Sequence, residues 1–129
     1  MNPFQTFLYV GFYFFVNQLR WATVGIGSFM KDVKITVMRK CEYLDLMEQY
    51  ENPIEHTCDM KIGSVFISKN AEKPEGLCDA AWYVMQKYVL TLACGGGDFF
   101  DGWMKNKHSA MISCDDGFRP VSFYLETVD

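Results

Sequence analysis

Every charged side chain but one lies beyond residue 29. Residues 1–29 hold only Arg20, together with nine aromatic residues, whereas residues 30–129 carry 11 Lys and Arg against 16 Asp and Glu. A folded domain needs charged and polar groups to cover its water-facing surface, so the part able to form one is residues 30–129, preceded by an apolar N-terminal extension. One hundred residues make a single domain, long enough to bury a hydrophobic core without help from disulfides.

The extension has three competing readings. Its longest apolar run, residues 7–16, is ten residues long, and a membrane-spanning helix needs about 20. Joining that run to residues 21–29 would place Arg20 in mid-membrane at a cost of about 3 kcal/mol. A stable membrane span is therefore not expected. A secretory signal is not expected either, because no cation precedes the run and no Ala-x-Ala pattern follows it. What stays open is translation upstream of a start at Met30, a weak membrane anchor, or an extra strand or helix packed on the domain.

Residues 30–129 have a net charge of −5. Phosphate neutralisation needs clustered Lys and Arg. The nearest approach to a cluster is Lys31, Lys34, Arg39 and Lys40, interrupted by Asp32 and Glu42, so nucleic acid is not an expected partner. The five cysteines, Cys41, Cys58, Cys78, Cys94 and Cys114, are odd in number. Together with the missing export signal, that points to reduced thiols in the cytoplasm. Their spacing contains no Cys-x-x-Cys and is unlike a zinc ribbon.

Hydrophobic period supplies the fold class. Residues 31–39 alternate, with Val33, Ile35 and Val37 on one side, as in a half-buried strand. Leu44, Met47 and Tyr50 suit a short helix over residues 43–50, ended by Asn52-Pro53. Residues 64–68 read as a short strand with Val65 and Ile67 on one face. Cys78, Ala81, Trp82, Met85, Val89 and Leu92 recur at three- and four-residue steps, which predicts a helix over residues 77–94 stopped by Gly95-Gly96-Gly97. Residues 110–114 and 119–126 are two strands joined through Asp115-Asp116-Gly117, a hairpin signal, with Val121, Phe123 and Leu125 toward the core. The order β-α-β-α-β-β predicts an α+β domain: a mainly antiparallel four-stranded sheet with two helices on one face.

Four groups of residues have side chains suited to chemistry. Cys78 falls at the start of the long helix, where backbone N–H groups favour a thiolate, although Asp79 opposes this and a free Cys on an apolar face is commonly a small hydrophobe. His56 and Cys58 can supply two ligands from one loop, and a zinc or iron site would take Cys78 and Cys114 as the others. Asp116 and Arg119 either make a turn with a solvated ion pair or let Arg119 clamp an anionic ligand through two parallel hydrogen bonds. The glycine run, with Asp98, Phe99, Phe100, Asp101 and Trp103 after it, is either a helix stop whose aromatics tuck into the core or a lid over a small ligand. His108 has no Ser or Cys partner at a recognisable spacing, so no catalytic triad is expected.

The strings MKDVKITV (30–37), KPEGLCDAAW (73–82), KYVLTLA (87–93) before the glycine run, and CDDGFRPVSF (114–123) together resemble a family of short prokaryotic proteins associated with anaerobic bacteria and archaea. The family is about as long as residues 30–129, and the resemblance covers residues 30–126. It implies one compact cytosolic domain beginning near Met30. It draws attention to Cys58, Cys78, Cys114 and Arg119, but it implies no reaction. Here Cys58 stands in His56-Thr57-Cys58-Asp59 rather than in the family's Gly-Pro-Cys-Pro-like setting.

The expectation is a non-enzymatic binding or accessory domain for a small ligand, metal or protein partner, with Cys78, Trp82, Asp116 and Arg119 as ligand-binding residues. The alternative is a cysteine-based metal or redox protein using Cys58, Cys78, Cys114 and His56. A nucleophilic Cys78 with His56 as its base is the third reading.

Overall fold

The computed structural model describes residues 30–55 and 57–129. The expectations for residues 1–29 and for His56 lie outside the described residues. The elements are β1 (Asp32–Lys40), α1 (Leu44–Tyr50), β2 (Val65–Ser68), α2 (Asp79–Ala93), β3 (Ser109–Ser113) and β4 (Val121–Val128), all within the compact unit Lys31–Asp129. The four strands form one sheet in the order β2-β1-β4-β3, and every neighbouring pair is antiparallel. The class is α+β, as the periodicity requires.

The inner face of the sheet follows from the alternation in β1. Val33, Ile35 and Val37 are buried, and β4 places Leu125 beside Ile35 and Phe123 beside Val37, both with no exposed surface. Ala110 and Ile112 of β3 continue this face. α2 covers it with Ala81, Met85, Val89, Leu92 and Ala93. The spacing of these residues puts one apolar stripe toward the sheet. The helix ends as the glycines predict. Gly95 adopts a positive φ of 86°, its N–H bonds to Leu92 O at 3.0 Å, and the Gly96 N–H bonds to Thr91 O at 2.9 Å. These two bonds form a Schellman cap, which satisfies carbonyls that the last turn would otherwise leave orphaned.

In β2, Val65 and Ile67 share one face as the sequence suggests, and it is the outward one; the inward residues are Phe66 and Ser68, since Phe66 pairs with Ile35 and Ser68 with Val33. Val65, Phe66 and Ile67 are all apolar, so their pattern leaves the face undecided. Backbone bonds from Val37 N to Ser64 O (2.9 Å) and from Gly63 N to Val37 O (2.8 Å) set the register. The first helix does not join α2 on the sheet. It is seven residues long and buries none of them, because two turns offer too short an apolar stripe to compete for the inner face. The β3–β4 connection is a hairpin, but not a tight Asp-Gly turn: it runs over residues 114–120 without a positive φ. The Asp116 carboxylate instead accepts the Phe118 and Arg119 N–H groups at 2.8 and 3.0 Å, using its side chain to build the turn. Pro120 precedes β4, where its missing N–H is not needed.

Candidate functional site: a polar cleft beside the glycine turn

The residues singled out from the sequence occupy separate places. Cys78 is the N-cap of α2 rather than a residue of its first turn, and its side chain makes no capping bond. It is half-buried, as is Trp82 one turn later. Asp79 pairs with Lys73 at 3.2 Å. Cys58 Sγ accepts the Met60 N–H at 3.4 Å, and Cys114 Sγ accepts the Val121 N–H at 3.2 Å. Among the described residues no three His, Cys, Asp or Glu side chains converge as a metal-ligand set. The five thiols are free. Cys41 and Cys94 are exposed and the other three half-buried, so iodoacetamide on the native protein is expected to alkylate Cys41 and Cys94 first. Peptide mass mapping over time reads the order.

Arg119 is already engaged. Its Nη1 and Nη2 donate to Glu51 Oε2 and Oε1 at 2.8 and 2.6 Å, and both side chains are only 15% exposed. This is the forked geometry that makes Arg–carboxylate pairs strong, and the carboxylate it holds belongs to the chain. The pair ties the segment after α1 to the β3–β4 loop. Backbone bonds from Tyr43 N to Phe118 O and from Cys41 N to Pro120 O reinforce the tie, each at 2.9 Å. The hydrogen bonds from Arg119 hold the Glu51 carboxyl below its usual range; partial burial opposes that shift, the Arg119 charge adds to it, and nearby Asp116 opposes it. A carboxyl with a lowered folded-state pKa stabilises the fold above its unfolded value, and the benefit disappears as pH falls through the folded value. Glu51→Gln is therefore expected to lower the urea midpoint at pH 7. The gap from the unaltered protein should close as pH falls through and below the ordinary glutamate range.

Among the described residues, a geometry that can accept a ligand is found elsewhere. Lys31, Gly95, Asn106, His108, Thr127 and Asp129 line an open cavity of about 260 Å³. Four parts of the chain converge there: the residue before β1, the end of β4, the glycine turn after α2, and the residues leading into β3. Lys31 N bonds to Ala93 O at 2.8 Å, and Thr127 N to His108 O at 3.1 Å. Lys31 Nζ reaches Asp129 Oδ1 at 3.2 Å with both side chains well exposed, a pair that solvent screens and a ligand can open. His108 Nδ1 stands 3.3 Å from Gly96 O, and its backbone N–H is held by Asn106 Oδ1 at 3.0 Å.

The loop over residues 97–108 closes on itself at this cleft. Asp98 N bonds to Lys107 O at 2.6 Å, and Gly97 lies so close to that carbonyl that a Cβ would collide with it. Asp98, Phe100 and Asp101 take positive φ near 50°. Phe99 packs edge-on against Tyr88 with ring centres 5.0 Å apart. Phe100 and Trp103 pair at 5.2 Å but remain exposed rather than tucked into the core. Sequence reasoning found the glycine turn. It did not find Lys31, Asn106, Thr127 or Asp129, which nothing in local spacing connects. Among the described residues no helix is long and apolar enough to cross a membrane. No family model matches the chain, and no curated protein or solved structure matches it.

Proposed function

We propose that this is a non-catalytic binding domain and that its ligand is a small polar molecule held in the cleft beside the glycine turn. The observation that carries this reading is the convergence of Lys31, Asn106, His108, Thr127 and Asp129 from distant parts of the chain around one cavity of about 260 Å³. That volume corresponds to roughly nine waters at about 30 Å³ each. It falls just under the ~300–1,000 Å³ of sites for drug-sized ligands, so the occupant is small. The lining offers an ammonium, an imidazole, an amide and a hydroxyl facing one carboxylate. This set suits a ligand with an anionic group and a hydrogen-bonding group together. A catalytic reading lacks support, since His108 faces a backbone carbonyl rather than a nucleophile.

Saturation-transfer NMR on the full chain, with acetate, glycine and methyl phosphate as probes, tests the reading. At least one probe is expected to receive saturation, and the signal should fall in His108→Ala and Asn106→Ala. Signals unchanged in both variants would place binding elsewhere.

A further inference from the structure

Among the described residues, no element covers the outer face of the sheet. α2 packs on the inner face, and α1 buries nothing. Two rows cross the outer face in register. One runs Ile67, Lys34, Glu126, Ser109, with Ser109 fully buried; the other runs Val65, Thr36, Tyr124, Met111 across all four strands. Val65 is 50% exposed and Met111 37%. Lys34 Nζ stands 3.9 Å from Glu126 Oε1.

We propose that this face docks a second copy of the same chain, face to face, about a two-fold axis parallel to the strands and midway between β1 and β4. Such an axis exchanges the positions of β1 and β4 and those of β2 and β3 while keeping each row in place. It sets Lys34 of each copy over Glu126 of the other, Thr36 over Tyr124, the apolar edge residue Val65 over Met111, and Ile67 over the recessed Ser109. The face is thus complementary to itself in charge at its centre and in apolar character at the Val65 and Met111 edges, as a two-fold interface requires. Its extent is about 19 Å across four strands and about 17 Å along them, roughly 300 Å² in plane. A stable interface buries about 800 Å² per partner. The dimer is accordingly weak, with a dissociation constant on the order of 10 μM or higher.

Sedimentation of the full chain over a concentration range up to roughly 500 μM is the test, applied to two pairs of variants. Lys34→Glu and Glu126→Lys each place like charges across the axis. Each is expected to weaken dimerisation at least tenfold. An equimolar mixture should restore it, because the carboxylate introduced at position 34 of one chain then meets the ammonium introduced at position 126 of the other. The Lys34–Glu126 pair within a chain is broken in both variants, so recovery on mixing can only arise between chains. Val65→Glu and Met111→Lys form the second pair. They sit at opposite edges of the sheet, about 14 Å apart, and remain usable if the first pair disturbs the central strands. A monomer at every concentration overturns the proposal, whatever then covers the face. Self-association that survives the single variants overturns it as well, and so does failure of both mixtures to recover.

Discussion

Phe123→Ala is expected to cost about 3–5 kcal/mol, a large share of the ordinary domain stability of about 5–15 kcal/mol. Phe123 has no exposed surface and is the largest of the fully buried side chains. It stands on β4, a central strand, in register with Val37 on one side and Ile112 on the other. Truncating it opens a cavity bordered by both neighbouring strands, where the backbone ladder prevents collapse. A urea titration measures the effect as a lower midpoint at unchanged slope. Val65→Ala is the control: its side chain is half exposed on the outer face, and its removal is expected to change stability by about 0.5 kcal/mol or less. Equal effects at the two positions would mean that the faces of the sheet are misassigned.

Gly97→Ala carries the second large effect, about 1–3 kcal/mol, as overpacking does elsewhere. No positive φ is involved, so the cost is one of space alone. The added Cβ would collide with Lys107 O, which is bonded to the Asp98 N–H, and would come within 3.2 Å of His108 Nδ1. The His108 ring can swing aside, but the Lys107 carbonyl is backbone and cannot, so the closed base of the loop must open. Gly117→Ala provides the contrast: nothing lies within 4 Å of its added Cβ, and a change within about 0.5 kcal/mol is expected. Thermal melts rank the two variants. Faster hydrogen exchange at the Asp98 amide in Gly97→Ala would show that the loss begins at the loop base.

The sheet and the long helix were legible because their patterns are long and have one clear period. Burial alternates over the first six residues of both β1 and β4, and the fifteen residues of α2 carry one stripe. The short elements were less so. In β2, three successive apolar residues fit either face, and pairing with β1 decided between them. In α1, Leu44 and Tyr50 satisfy the helical period yet are more than two-thirds exposed, because period alone does not say whether a partner surface exists. Asp116 was recognised as a turn residue, but its carboxylate caps two N–H groups instead of adopting a positive φ. The site was legible only in part. Glu51 and Arg119 are 68 positions apart, and Lys31 and Asp129 are 98 apart. Such pairings exist only once β1 and β4 lie side by side, and no local spacing announces them.

The proposed function resides in the cleft beside the glycine turn rather than among the thiols. Amide chemical-shift mapping of the full chain tests it most directly, since one spectrum reports on both regions. Acetate, glycine, phosphate and zinc would be titrated separately into the reduced protein. Saturable shifts are expected at Lys31, Gly95, Asn106, His108 and Thr127 with at least one of the three non-metal probes, and no saturable response at Cys58, Cys78 and Cys114 with zinc. A silent cleft, together with stoichiometric zinc shifts centred on those three cysteines, would contradict it.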